Sequence, residues 1–235
     1  MKNSNTFKVL GLAAVLFFCG QSIKAQTALE TSLFFNGVAP SAEFNDNATL
    51  TSEGLFGKDQ IGTAAALGFG GGIRASLPFD IGVGYVAPFV GADLFWNRPK
   101  SSLRTPMMEA DDKVPQYFNI PIMVGVQYRY PLADMGLEYV TPYAEFGVGY
   151  DFFMIGAEGA KNKYYYNYKV KGAMAWQLGV GTFLANHVSI GIHYYGLGTH
   201  QIKYGNGCVP DMASSTNLNQ LRRIGEWALR FGFHF

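Results

Sequence analysis

One pair of residues has types and spacing that could support covalent catalysis. His187 and Ser189 are two positions apart, and a histidine within hydrogen-bond reach of a serine can activate its hydroxyl as a nucleophile. The flanking pattern argues against this use. Val188 and Ile190 occupy alternate positions of a period-two segment, so Ser189 faces the opposite side while His187 lies in a short turn. We therefore predict that the pair is not catalytic and that the protein is not an enzyme.

The chain also lacks the spacing that metal and phosphate sites require. The histidines after position 190 form no metal-ligand motif. The glycine-rich stretch 68–72 is not followed by the Lys-Ser/Thr of a phosphate-binding loop. Asp111 and Asp112 lack the glycine-pinned loop of a calcium site. We expect no catalytic, cofactor-binding or metal-binding residues.

Eight segments in which apolar residues alternate with small or polar ones follow position 26. The clearest runs from Tyr117 to Tyr130, where every even position holds a large apolar residue. The connections between the segments are alternately short and long, as in barrels with short periplasmic turns and long extracellular loops. The sequence therefore predicts an all-β fold, a transmembrane antiparallel up-and-down β-barrel of about eight strands.

Charged residues at the polar positions of these segments would point into the barrel. The predicted periplasmic half of this lumen charge cluster comprises Glu30, Arg74, Arg129, Glu145 and Arg230. The predicted outer half comprises Asp151, Lys169, Lys171 and Glu226. Side chains can fill an eight-stranded barrel, and an isolated buried charge costs several kcal/mol. We expect these groups to pair and to plug the lumen structurally, with a narrow selective pore as the alternative.

The third segment departs from simple alternation. Ile81, Val83 and Phe89 share one parity, whereas later apolar residues share the other, and Pro88 lies at the change. Proline cannot donate a ladder hydrogen bond, so we predict a β-bulge near Ala87 and Pro88 that turns Asp93 inward.

A helical membrane protein is the rival interpretation of the long uncharged stretch at 172–202. That stretch contains several glycines and has Asn186 and His187 near its middle, which is more typical of two strands joined by a turn. The mean hydropathy of +0.06 is low for a bundle of continuously apolar helices.

The first residues resemble a secretory signal. Two lysines precede an apolar run at 9–18. Ala25 is the best candidate for the last residue before cleavage, although Ile23, two residues earlier, stands where a small residue is usual. We predict a signal peptide at 1–25 and a mature barrel domain at 26–235. The alternative, lipidation at Cys19, requires a small residue where Phe18 stands.

Removal of the signal peptide changes the properties of the chain. Its three lysines leave with it, so the formal net charge changes from +1 to −2, and no nucleic-acid partner is indicated. Cys208 becomes the only cysteine, which excludes an intramolecular disulfide and leaves the role of this thiol open.

The last residues, from Trp227 to Phe235, alternate large apolar side chains with Ala, Arg, Gly and His. This ending resembles the C-terminal strand of bacterial outer-membrane β-barrel domains, including the PorT-like group and the opacity or OmpX-type barrels. The resemblance implies insertion by the barrel-assembly machinery, with Phe231, Phe233 and Phe235 as the assembly signal. It also implies the bacterial outer membrane as the location, with membrane lipid and lipopolysaccharide as partners. No peptidoglycan-binding domain is expected after the last strand.

The resemblance leaves several functions open. Members of these families act as anchors, adhesins, host-interaction proteins or parts of secretion machinery, so a structural, adhesion or partner-binding role is expected. A porin-like channel is the alternative. A remote alternative is a lipid A-modifying enzyme, because lipid A deacylases of this shape carry a lipid-facing His-x-Ser pair, whereas Ser189 is predicted to face inward.

A possible binding surface lies in the third long loop, where an envelope or extracellular protein, a glycan or lipopolysaccharide phosphates could bind. It comprises Lys161, Lys163, Tyr164, Tyr165 and Tyr166. An interfacial aromatic belt is the competing interpretation of the tyrosines.

Overall fold

Residues that alternate between large apolar and small or polar types form eight long strands in the computed structural model. The structure describes residues 29–47, 63–137, 139–160, 164–185, 187–204 and 220–235. The long strands are β1 (Glu30–Ser41), β2 (Ala65–Ser76), β3 (Tyr85–Pro99), β4 (Tyr117–Arg129), β5 (Val140–Ile155), β6 (Ala173–Leu184), β7 (Val188–Tyr204) and β8 (Gln220–His234).

Shorter elements lie at the ends of these strands. Among the described residues, the α-helix α1 spans Ser101–Glu109, and single 3-10 turns span Ala42–Phe44 and Ala133–Met135. The short strand segments are Phe79–Asp80, Asp112–Lys113, Glu158–Ala160, Tyr164–Tyr166 and Tyr168–Lys171. Within the described residues, no helix has the length and apolar character needed to cross a membrane.

The long strands close into an antiparallel barrel. Each strand pairs with its neighbour in the chain, and β8 pairs with both β7 and β1. The closing pair is in continuous register from Ser32 opposite His234 to Ser41 opposite Gly225. Beyond it, the backbone of Phe235 exchanges two hydrogen bonds with Thr31, at 2.9 and 3.1 Å. The predicted eight-stranded up-and-down barrel is confirmed.

The outer wall of the barrel is almost entirely apolar. Exposed side chains include Leu33, Phe35, Phe69, Ile73, Val124, Phe146, Leu178, Ile192, Leu229 and Phe231, while their chain neighbours point inward. Such an exterior suits contact with lipid hydrocarbon, and it would be costly in water.

The bulge predicted at Ala87-Pro88 is absent. β3 pairs with β4 from Tyr85 to Asn97 without a shift of register. The carbonyl of Pro88 accepts a 3.0 Å hydrogen bond from the backbone N–H of Leu77, which follows the end of β2. In an antiparallel strand the N–H and C=O of a residue point to the same neighbour. The missing N–H of Pro88 therefore faces a position where β2 has already ended, and the ladder tolerates the proline.

The change of parity in this segment has two other causes. Ile81 and Val83 lie in the turn between Phe79–Asp80 and β3, so they do not belong to the strand. Phe89 faces the interior, where its ring lies under the guanidinium of Arg74. Asp93 is buried in the lumen as predicted, but on a regular strand.

A genuine bulge occurs at the outer end of β7. The register with β8 shifts between Gly196 and Gly198, where Gly198 has a φ of +90°. Leu197 is the extra residue and is fully buried. As a result, His193 and His200 both point inward although their positions differ in parity.

Candidate functional site: a filled lumen and its outer face

The centre of the lumen is bridged by an ion pair between opposite walls. Arg74 on β2 donates two hydrogen bonds to Glu145 on β5, at 2.7 and 2.9 Å. Gln127 and Gln177 donate to the same carboxylate at 2.8 and 2.9 Å. The Nδ1 atom of His193 lies 3.2 Å from it. Glu145 thus connects groups from four other parts of the wall, which rigidifies the interior.

A second buried ion pair lies beside the first. Arg230 on β8 donates to Asp93 at 2.7 Å and to the side-chain oxygen of Asn36 at 3.1 Å. The hydroxyl of Tyr195 donates to the other oxygen of Asp93 at 3.1 Å and also contacts the guanidinium of Arg230. A distance of 3.9 Å between Arg230 and Glu145 joins this cluster to the central one. The two pairs form one network.

Aromatic rings occupy the space that the hydrogen bonds leave. The guanidinium carbon of Arg74 lies 3.9 Å from the ring centroid of Phe89. The guanidinium carbon of Arg230 lies 4.3 Å from that of Phe34. Cation–π attraction strengthens when the pair is removed from water, so these rings both fill the lumen and stabilise the charges.

At the periplasmic end, Arg129 donates to Glu30 at 2.7 and 3.1 Å. His234 lies above this pair: its Nδ1 atom is 2.8 Å from the hydroxyl of Ser32 and 3.2 Å from Glu30, and its Nε2 atom is 2.8 Å from the hydroxyl of Ser189. This is the order of groups in a serine–histidine–carboxylate site. However, Ser189 is only 1% exposed and lies inside the barrel, so a lipid ester outside cannot reach it.

The outer half of the lumen holds two carboxylates that pair with no lysine or arginine among the described residues. Asp151 and Glu226 are fully buried. Asn119 donates to Glu226 at 2.8 Å, and the Nε2 atom of His200 lies 3.2 Å from Asp151. Neither carboxylate pairs with a lysine or arginine within the described ranges. Asp151 and Glu226 face inward as predicted.

The prediction that Lys169 and Lys171 point into this part of the lumen is wrong. Both are exposed on the outside, whereas Tyr168 is buried. The reason is Gly172, which lies outside the paired strands and separates Tyr168–Lys171 from β6. From Ala173 onward odd positions point inward, but before this break odd positions such as 169 and 171 point outward.

An apolar cap closes the outer end of the lumen. Phe44 packs edge-on against Tyr117 and Phe153, with ring centroids 5.6 and 5.7 Å apart. Leu103 and Met107, from one face of α1, belong to the same buried cluster. The strand pattern did not predict this cap because Phe44, Leu103 and Met107 come from a 3-10 turn and a helix, which pack onto the strand residues Tyr117 and Phe153.

The predicted binding surface in the third loop is only partly described. Lys161 and Lys163 lie outside the described residues. Tyr164 and Tyr165 lie in a short strand that pairs with Glu158–Ala160. The expectation of an exposed side chain is wrong for Tyr166, which is 1% exposed and stacks on Tyr204 with centroids 5.8 Å apart.

The three terminal phenylalanines lie on the outer face of β8. Phe231, Phe233 and Phe235 are all exposed, and Phe233 packs edge-on against Phe35 of β1 across the closing seam. Their role as an assembly signal stays a prediction.

Comparisons with known proteins locate this architecture among solved structures. No protein-family model and no curated protein matches the chain. The outer-membrane protein OprG from Pseudomonas aeruginosa is similar, with a TM-score of 0.51 and 15% identity, covering 91% of this chain and 99% of that one. The fold is that of the small outer-membrane β-barrels. Neisserial surface protein A matches with a TM-score of 0.47 and 12% identity over 89% of this chain and 98% of that one. These similarities show the fold expected from the opacity or OmpX-type resemblance, and membership of that group or of the PorT-like group stays a prediction.

Proposed function

We propose that this protein is a non-enzymatic outer-membrane barrel with a side-chain-filled lumen, acting in a structural, adhesion or partner-binding role through its outer loops. The observation that carries the proposal is the network across the lumen. Arg74 and Glu145 connect opposite walls, and Arg230 and Asp93 occupy the adjacent space. A wide aqueous path would leave these charges hydrated and separate rather than in direct contact.

Membrane placement rests on the exterior and on the fold. The apolar outer wall suits the hydrocarbon of a bilayer, and small barrels of this fold occur in the outer membrane. Export would use the predicted signal peptide cleaved near Ala25. Phe231, Phe233 and Phe235 would then direct insertion by the barrel-assembly machinery.

The non-enzymatic part of the proposal rests on the position of the serine–histidine contacts among the described residues, in which Ser32 and Ser189 both hydrogen-bond to His234. Ser189 and His234 face the lumen, where they hydrogen-bond to wall residues. A lipid A-modifying enzyme needs its nucleophile at the lipid surface, where its substrate is found. Incubation of the refolded barrel with lipid A, followed by mass spectrometry of the lipid, should show no loss of acyl chains; release of a fatty acid that Ser189→Ala abolishes would refute this part.

Planar-bilayer recording tests the filled lumen. The wild-type protein should give no steady single-channel current, while a general porin reconstituted in the same way serves as the positive control. Heat-modifiable gel migration would establish that the inserted protein is folded. Steady unit currents that change when Arg74 or Glu145 is replaced by glutamine would favour the alternative, a narrow porin-like channel.

A further inference from the structure

An aromatic row marks one side of the outer wall. Trp176 on β6, Tyr194 on β7 and Trp227 on β8 face outward. The ring centroid of Tyr194 lies 5.3 Å from that of Trp176 and 4.9 Å from that of Trp227. Tyr194 and Trp227 are direct cross-strand partners. Tryptophan and tyrosine concentrate at the boundary between hydrocarbon and headgroups in membrane barrels. The row therefore marks the outer boundary of the hydrocarbon on this side.

Four cationic side chains lie beyond this aromatic row, on the outer ends of β7 and β8 and on the short strand Tyr168–Lys171 that pairs with β7. This basic row consists of Lys169, Lys171, Lys203 and Arg223, all of which are exposed. Arg223 precedes Trp227 by four residues, or about 13 Å along the strand. With a strand tilt of about 40°, that is about 10 Å along the membrane normal. The basic row therefore lies at the level of lipid headgroups, within reach of flexible side chains.

Two of these lysines face each other directly. Lys169 and Lys203 are cross-strand partners. Like charges at opposed positions of a sheet repel and destabilise the pairing. In the described part of the chain, none of the four side chains has a carboxylate partner. Glu43, the nearby acid, accepts a 3.0 Å hydrogen bond from the backbone N–H of Arg223.

This arrangement contrasts with the charges inside the lumen. The lumen arginines Arg74, Arg129 and Arg230 each have a carboxylate partner at 2.7 Å. On the other side of the barrel, the outward residues at the ends of β4 and β5 include the cross-strand partners Phe118 and Met154, which are apolar. On that side Arg98, at the outer end of β3, is also exposed, but it is a single cation whose guanidinium carbon lies 4.4 Å from the ring centroid of Trp96. The opposed lysines occur in the basic row, and their repulsion is relieved when an anion lies between them.

We infer that the basic row binds the phosphate groups of a lipid A-type headgroup in the outer leaflet. Lysine supplies a mobile point charge for phosphate, and arginine can donate two parallel hydrogen bonds to it. The acyl chains of the same lipid would then lie along the apolar wall below the aromatic row. The inference rests on the membrane placement in the proposed function and adds a defined ligand class and a defined side of the barrel.

The test measures lipid binding to the refolded full-length protein in phosphatidylcholine nanodiscs. Bis-phosphorylated lipid A, its monophosphorylated form and phosphatidylglycerol serve as probes, with retained lipid quantified by native mass spectrometry. The variant carries Lys169→Gln, Lys203→Gln and Arg223→Gln together. A cation near a charged surface contributes about five-fold in affinity, so the triple variant should bind bis-phosphorylated lipid A roughly 100-fold more weakly. Arg104→Gln on α1 is the matched control and should retain wild-type binding.

A second measurement separates lipid binding from a general effect on folding. In a neutral detergent, Lys169→Gln should raise the urea midpoint, because it removes the repulsion with Lys203. With lipid A present, the same substitution should lower the midpoint relative to the wild type.

Three outcomes would overturn the inference: equal lipid A binding by the triple variant, equal binding of phosphatidylglycerol and bis-phosphorylated lipid A by the wild type, or a midpoint shift of the same sign with and without lipid A. Heat-modifiable migration of every variant is recorded in parallel. If the wild-type barrel is folded and non-conducting but does not prefer lipid A to phosphatidylglycerol, this inference alone is contradicted. If the barrel conducts or does not insert into the membrane, the proposed function is contradicted.

Discussion

Removing one charge from the central ion pair should destabilise the barrel strongly. In Glu145→Gln, the amide keeps the size of the side chain but replaces one acceptor oxygen with a donor. Arg74 then remains buried without its counter-charge, and its second hydrogen bond at 2.9 or 2.7 Å meets an N–H group. Both side chains are at most 7% exposed, so water cannot compensate.

Breaking a buried pair by removing one partner costs about 3–5 kcal/mol. With a urea dependence of about 2 kcal/mol/M, a loss of about 4 kcal/mol lowers the unfolding midpoint by about 2 M. Replacing both partners, as in Arg74→Met with Glu145→Met, should cost less than the sum of the single changes, because no uncompensated charge remains. Part of the loss will persist, since Gln127 and Gln177 lose their common acceptor.

The assay is equilibrium urea unfolding of the refolded protein, followed by tryptophan fluorescence and by heat-modifiable migration. The matched control is Glu30→Gln, which breaks a pair of the same bidentate geometry whose side chains are 12% and 17% exposed at the periplasmic end. Water can reach that pair, so its loss should cost about 1 kcal/mol. Equal effects of Glu145→Gln and Glu30→Gln, or fully additive Arg74 and Glu145 changes, would refute the idea of a desolvated central network.

Three further predictions follow from the described wall. Deletion of Phe235 should reduce the fraction of heat-modifiable barrel assembled in cells but have a smaller effect on refolding in detergent; equal losses in both would argue against an assembly signal. Pro88→Ala should change the unfolding free energy by less than about 1 kcal/mol, because the strand is already regular there, whereas a larger loss would show that proline shapes β3. Gly125→Ala should cost about 1–3 kcal/mol, since an added methyl would lie 2.6 Å from the ring of Phe89, while Gly37→Ala, with open space around it, should cost much less.

The period-two pattern predicted which side of each strand faces lipid because one-residue alternation determines side-chain direction directly. β4 illustrates this: its even positions from 118 to 128 point outward and its odd positions point inward, as expected. Inward positions of Arg74, Glu145 and Arg230 followed from the same rule. Their partners could not be predicted, because the choice of partner across a lumen depends on strand tilt and stagger rather than on alternation.

The errors occur where a single residue interrupts the alternation. Gly172 reversed the direction of Lys169 and Lys171, and the extra residue Leu197 in β7 brings His200 inward, a direction that alternation alone does not predict. Both breaks lie at or beside glycines, which can mark an irregular strand, but glycine also occurs at many regular positions of these strands, so the pattern does not locate the breaks. At Pro88 the reverse happens: the pattern predicts a break where the strand is regular. The apparent change of parity comes from a turn before the strand and from an inward phenylalanine.

The order of layers along the barrel axis explains why its outer surface, rather than its interior, is the place to seek function. Paired charges near Glu30 and Glu145 occupy the periplasmic and central lumen, and the apolar cap around Phe153 closes the outer end. Between them, in the outer half, Asp151 lies 3.2 Å from His200 and Glu226 accepts a hydrogen bond from Asn119, so these carboxylates also have polar contacts with the wall. A solute crossing the barrel would have to displace both the ion pairs and the cap, whereas a ligand at the basic row displaces neither.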